Sequence, residues 1–347
     1  MRAAASTRVP NPRVIAVVIT ALCLAATAAA IRTTTGAASS AVDRTPSVAP
    51  SRGRILFQSL APGGGDTLYT MKQSGADVQR LRLKVPGSAI SPDWSSDGKR
   101  VAFAVQVGNS QSIWTADADG RNATEVFHCA HGCLGTDYPA WSPDGRSIAF
   151  TYYDADPPPT TGPPSGDSIR VVDLHTRKVR VVVRSQFPQL ADLARWSPDG
   201  KQLVIQRDRF ASDGSETGCR IEIVRVSDGR VRPLTPFAQF AFHPDWSSKG
   251  DLIEFDTYDL LAFRDSAPDA SNLFTVRPDG SHLRQLTHFR PGGDRISAAT
   301  FTPDGRRIMF TYQVGGSRKA GIIKSGGGAI ETVPTNYSGP VTHPRMS

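Results

Sequence analysis

The densest group of metal-competent side chains in the chain is His128-Cys129-Ala130-His131-Gly132-Cys133. Zinc and copper require three or four converging imidazole or thiolate donors, and these six residues can supply that many. The same spacing fits a small disulfide between Cys129 and Cys133 that tightens a loop in an oxidising compartment. Cys219 is an alternative partner for either cysteine, and free thiols stay open as well. Nucleophilic serine chemistry has less to build on. The chain contains no G-x-S-x-G, no H-E-x-x-H, and no Walker-type or dinucleotide glycine pattern. Its seven histidines show no recurrence at repeat spacing.

Side chains of this kind need a scaffold, and the chain provides one by repetition. WSSDGKRVAF starts at Trp94, WSPDGRSIAF at Trp141, WSPDGKQLVI at Trp196, WSSKGDLIEF at Trp246 and FTPDGRRIMF at Phe301. Five near-copies, separated by 47, 55, 50 and 55 residues, specify an array. In Ser-Pro-Asp-Gly the proline presets φ at the first turn position and Asp tolerates the second. Gly takes the positive φ that closes a hairpin. The alternating residues that follow read as a half-buried strand. A second hairpin follows each copy, beginning at Ser112, Ser168, Arg220, Asn272 and Gly321. Each unit is therefore four strands: a, ending at the Trp, then b, then the hairpin c–d.

A four-stranded unit cannot bury both faces alone, and radial stacking of such units gives a β-propeller. Residues 54–58 read as a strand b, and Thr67 to Leu83 as a c–d hairpin, with no strand a before them. THPRMS at 342–347 aligns with FHPDWS at 242–247 and is the expected source of the missing strand. The expectation is an all-β, six-bladed β-propeller of four-stranded blades, its ring closed by the C-terminal strand so that no sheet edge stays free.

The segment Asp137-Tyr138-Pro139-Ala140-Trp141-Ser142-Pro143-Asp144-Gly145-Arg146 resembles the repeat of TolB-like six-bladed propellers, a WD-like family of exported bacterial proteins. The resemblance spans residues 54–347. It implies a binding platform, although that propeller also serves as an accessory domain beside hydrolases. Two positions depart from the repeat: Phe301 replaces the Trp of one unit, and Lys249 stands where another would have the turn Asp.

In this topology the a–b and c–d turns share one face of the disc, while b–c and d–a connections share the other. The first set is tight throughout. The b–c set contains the long segments Asp154 to Asp167, Asp208 to Gly218 and Asp256 to Ser271. Loops on a rigid scaffold carry recognition, so this face is the expected binding face. Its candidate partner-binding residues are Tyr153, Asp154, Asp208, Arg209, Phe210, Asp256, Tyr258, Phe263 and Arg264, in which aromatic and Arg anchors are well represented.

Charge narrows the class of partner. The net charge is +8, but residues 1–53 carry six arginines against Asp43 alone, so only three of those charges remain for the rest. No Lys/Arg block stands there, which argues against nucleic acid. Arg2, Arg8 and Arg13 precede an uncharged run from Val14 to Ile31 that ends in small residues. Residues 1–31 thus read as a signal peptide or membrane anchor, and 32–53 as a solvated linker. Both place the propeller outside the cytoplasm, secreted, periplasmic or at the cell surface. The expected function is non-catalytic recognition, by a monomer without cofactor or metal, of an extracytoplasmic protein or peptide, or a glycan. The alternative is a lyase or hydrolase with a polar central channel, for which the strand b ends offer Gln58, Gln106, Asp208, Asp256 and Gln313. A third reading places a cation between Asp208 and Asp256.

Overall fold

The computed structural model describes residues 53–108, 110–130, 132–154, 166–258, 271–290, 294–314 and 316–347. The expected export segment and linker lie outside these residues, apart from Gly53. Antiparallel strands dominate. β1 (Arg54–Leu60), β2 (Asp66–Lys72) and β3 (Gln79–Arg80) are joined at the β1 edge by β24 (Thr342–Met346). A second sheet holds β4 (Ser88–Trp94), β5 (Arg100–Val107), β6 (Ser110–Asp117) and β7 (Thr124–Phe127). β16 (Ala241–Trp246), β17 (Ile253–Tyr258), β18 (Ser271–Val276) and β19 (Arg284–Gln285) form a third, and β20 (Arg295–Phe301), β21 (Arg307–Val314), β22 (Ser317–Lys324) and β23 (Glu331–Thr332) a fourth.

The remaining strands correct the expectation of uniform four-stranded sheets. β8 (Cys133–Trp141), β9 (Ser147–Asp154), β10 (Gly166–Asp173), β11 (Val179–Gln186), β12 (Gln189–Trp196), β13 (Gln202–Phe210), β14 (Glu216–Arg225) and β15 (Val231–Pro233) run on as one eight-stranded sheet. The physical cause is local. Only Phe187 and Pro188 separate β11 from β12, so Gln186 pairs with Gln189 and the ladder continues across the junction. The architecture is an all-β propeller with four separate four-stranded sheets and this one continuous pair.

The repeated motif makes the same turn each time. Ser95, Ser142, Ser197 and Thr302 donate their hydroxyls to Asp97, Asp144, Asp199 and Asp304 at 2.6–2.7 Å. Gly98, Gly145, Gly200, Gly250 and Gly305 close these turns at φ of 66° to 72°, a region that costs a side chain energy. Where Lys249 replaces the turn Asp, Asp251 takes over and accepts from Ser247 Oγ at 2.7 Å. At β24 the same pattern is made between chain ends. Ser347 N donates to Arg54 O at 3.0 Å and Arg54 N to Ser347 Oγ at 3.2 Å, as Ser95 and Arg100 do within one turn.

Strand b supplies the core. Phe57, Phe103, Phe150, Phe255 and Phe310 occupy one repeat position and are fully buried. Among the described residues the buried apolar side chains fall into six clusters, each joining residues of neighbouring strand groups. Leu56 and Leu68 pack with Trp94 and Phe103, and Met309 and Ile322 pack with Ile55 and Phe57. Burial of each Phe stabilises by about 2–3 kcal/mol.

Candidate functional site: an acidic mouth at the innermost strands

Every strand a carries a bulge. The register against strand b shifts after Ile90, Asp137, Asp192, Phe242 and Ser297. The residue that follows each of them, Ser91, Tyr138, Leu193, His243 and Ala298, takes φ of 49° to 53°, and His343 of β24 takes 48°. Non-glycine residues rarely hold this conformation unless the surroundings enforce it. Enforcement comes from the neighbouring layer. Gln58, Gln206 and Thr311 side chains accept from the backbone N–H of Ser91, His243 and His343 at 3.1–3.2 Å. His243 and His343 therefore do share a register position, contrary to the reading of scattered histidines. Four of the bulges converge on one cavity lined by Ser91, Tyr138, Leu193, Arg195, His343 and Arg345.

Charges at the cavity floor are mixed. Arg195 Nη1 lies 3.0 Å from Asp93 Oδ1, and Arg345 Nε lies 4.0 Å from the same oxygen. Burial, with Arg195 nearby, pushes Arg345 down to about 10. Burial and Arg345 push His343 down to about 3, so it is neutral at ordinary pH. Glu254, fully buried, finds no hydrogen-bond partner for either oxygen among the described residues. Burial first, then Asp245 and Asp256, raises its pKa well above the usual value.

Toward the b–c loops the balance turns acidic. Asp137 and Asp192, each just before a bulge, are buried and accept from the following backbone N–H at 2.7 Å. Burial raises Asp137 to about 7 and Asp192 to about 6. Tyr153 Oη donates to Asp192 at 3.1 Å. Asp167 accepts from Ala191 N at 2.9 Å, and burial raises it strongly. Asp208 accepts from Gln206 Nε2 at 2.9 Å and is raised by burial. Asp256 faces His243 Nδ1 at 2.9 Å, a contact that opposes the upward push of burial. Glu216, exposed at the rim, is raised to about 8 by desolvation and by Asp208. Asp208 pairs across the ladder with Cys219, and donor atoms of Asp208, Glu216 and Cys219 lie within 4.8 Å of one another, a set able to hold a cation.

The residues expected at the binding face are distributed unevenly. Asp208, Asp256 and Tyr153 join the acidic mouth. Asp154 instead pairs with Arg170 at 3.4 Å. Arg209 is partly exposed with its guanidinium 4.6 Å from the Phe237 ring. Phe210, read as an exposed anchor, is buried and stacks on Phe187, because its N–H bonds to Pro188 O and draws it under the β11–β12 junction. Tyr258 ends β17, and Phe263 and Arg264 lie outside the described residues. Asp137, Asp167, Asp192, Glu216, Glu254 and His243 escaped the sequence reading. The one available signal was position, since Asp137 and Asp192 stand at equal distance before Trp141 and Trp196. Cys129 and Cys133 are joined in a disulfide, with Cα atoms 5.4 Å apart, and Cys219 is a buried free thiol.

No family model matches the chain. Among curated proteins, dipeptidyl-peptidase 5 of Porphyromonas gingivalis is 29% identical over 210 residues, which cover 58% of this chain but only 28% of the peptidase. An uncharacterized protein of Agrobacterium fabrum is 25% identical over 220 residues, covering 54% of this chain and 73% of its own length. Among solved structures, TolB of Acinetobacter baumannii superimposes with a TM-score of 0.63 at 20% identity, covering 85% of this chain and 67% of that one. With its repeated hairpins and bulged inner strands, the chain has the β-propeller fold of TolB.

Proposed function

We propose that the protein is an extracytoplasmic recognition platform whose b–c face captures a protein or peptide partner through a cationic group. The observation that carries this reading is the crowding of Asp137, Asp167, Asp192, Asp208 and Asp256 at one end of the inner strands. His243, 2.9 Å from Asp256, and Arg207, which acts on Asp167 and Asp208, are basic residues beside that group. Buried carboxylates with raised pKa values hold a latent negative field, and a lysine, arginine or terminal ammonium brought to the mouth would favour their ionised forms. In this reading the eight-stranded sheet counts as two blades, β24 completes a six-bladed ring, and the propeller acts as a monomer. Residues 1–31 direct or anchor it outside the cytoplasm through a linker at 32–53, and no nucleic acid is bound.

The test maps the face. Glu216→Lys should abolish capture of a lysine-rich peptide, while substitutions at Arg121, Arg177 and Arg230 on the turn face should leave it intact. Loss from the turn face alone would refute the assignment. A second reading, a propeller that hydrolyses or cleaves a peptide or glycan, draws support from the stretch shared with dipeptidyl-peptidase 5. Release of a chromophore from dipeptidyl substrates, sensitive to Asp256→Asn, would favour it.

A further inference from the structure

The junction inside the eight-stranded sheet leaves a cleft that the channel-mouth reading does not use. Because only Phe187 and Pro188 connect β11 to β12, no longer connector crosses there, and a cavity of about 420 Å³ opens beside the turn. Its walls include Arg184, Ser185, Arg207, Arg220 and Glu222. Glu222, 1% exposed, is shared by two guanidiniums. Arg207 Nε reaches its Oε2 at 2.9 Å, and Arg220 Nη2 reaches its Oε1 at 2.6 Å. Arg207 also donates to Ser185 Oγ. Arg184 is exposed, and its side chain makes no ion pair or hydrogen bond among the described residues.

Three guanidiniums and one carboxylate, Glu222, line the cleft, and Asp167 and Asp208 lie near Arg207, so the uncompensated positive charge of the wall rests mainly on Arg184 and Arg220. Each guanidinium has five N–H donors. Arg207 spends Nε and Nη1 within the protein, and Arg220 spends Nε and Nη2. Arg207 Nη2, Arg220 Nη1 and the whole of Arg184 remain. Shared attachment to Glu222 fixes two of the three groups before any ligand arrives, which lowers the entropy lost on binding. Planar guanidiniums match the oxygens of carboxylates and phosphates in pairs.

We propose that this cleft binds the oxyanion group, carboxylate or phosphate, of a small anionic ligand, with Arg184 and Arg220 as direct contacts and Arg207 as fixed backing charge. Arg207 and Ser185 adjoin the acidic mouth, through Asp167 and Asp208. Arg184 and Arg220, the direct contacts, are not among its residues, so the site stands whether or not that mouth binds a partner. Calorimetric titration of the full chain with inorganic phosphate and, separately, with citrate tests it. Saturable one-to-one binding of phosphate alone, citrate alone or both supports the site and reports the preferred oxyanion. Arg184→Ser should weaken that binding about tenfold, the loss of one charge-assisted pair, with an unchanged melting temperature. Arg220→Gln should weaken it similarly, and Arg121→Ser, remote from the cleft, should not. Absence of saturable binding by either anion overturns the proposal, as does equal affinity in wild type and Arg184→Ser, or equal weakening by Arg121→Ser.

Discussion

Gln206 Oε1 accepts the backbone N–H of His243 at 3.2 Å, tying strand b of one layer to the bulge in strand a of the next. Gln58 with Ser91 and Thr311 with His343 repeat the relationship, and Thr151 serves the same step through Asp192. A left-handed residue at each bulge is thus held by the preceding layer, so the inner strands are shaped by their neighbours as much as by their own sequence. Gln206→Ala should destabilise the domain by about 1–3 kcal/mol, because a buried N–H and the Asp208 carboxylate both lose a partner. Urea unfolding of the variant checks this, and an unchanged midpoint would contradict it.

The acidic mouth sets a pH profile. Asp137 at about 7 and Asp192 at about 6 are raised by burial above their unfolded values, so the folded state holds more protons. Their stabilising contribution is full below the unfolded carboxylate range and is lost as pH rises through the folded values. The melting temperature should therefore rise on going from about pH 8 to about pH 5.5. Glu254→Gln should raise it further at the alkaline end, since that carboxylate is buried without a hydrogen-bond partner among the described residues. Thermal scans across pH measure both.

Phe210 provides a direct contrast between the two readings of its position. As an exposed loop anchor it would be dispensable for stability. Buried and stacked on Phe187, it should cost about 3–5 kcal/mol when replaced by alanine. Chemical denaturation of Phe210→Ala decides between them.

The substitute turn residue makes a smaller claim. Asp251→Ala should cost about 1 kcal/mol, comparable to the loss of an ordinary capping hydrogen bond. The double variant Lys249→Asp, Asp251→Ala should recover most of that loss by restoring the bond seen at Asp97. Comparison of the two melting curves tests the substitution of roles.

The β24 edge can be tested by removal. Met346 pairs with Ile55 and Arg345 with Leu56, and Met346 packs in the same cluster as Phe57. Deleting residues 342–347 should lower the melting temperature of the whole domain, because β1 keeps β2 but loses its second partner and an edge opens. An unaltered transition would show that β24 contributes nothing to the first sheet.

Legibility in the sequence followed the range of the interactions. The turns around Asp97, Asp144, Asp199 and Asp304 are local, so four residues suffice to announce them, and the alternation after each identifies strand b. Met346 was readable through repetition instead, because THPRMS aligns with FHPDWS although its partner Ile55 is distant in sequence. The mouth was not. Asp208 and Asp256 were readable as strand b ends, but they meet Asp137 and Asp192 only once the layers stack, so the equal spacing of the latter two before Trp141 and Trp196 did not announce a common site. The β11–β12 continuity escaped because nothing in the repeat pattern marks Phe187 and Pro188 as the whole connection between the two strands. Burial of Phe210 depends on Pro188 O, a contact made across that same link.

The central claim, that the acidic mouth takes a cationic group, is tested most directly by calorimetric titration with a lysine-rich peptide. Wild type and an Asp137→Asn, Asp192→Asn double variant are compared at about pH 8 and about pH 6, on either side of the raised carboxylates. The account predicts tighter binding by wild type at the higher pH, and about tenfold weaker binding with little pH dependence in the double variant. Equal affinity in the two proteins, or binding that tightens as pH falls, would contradict it.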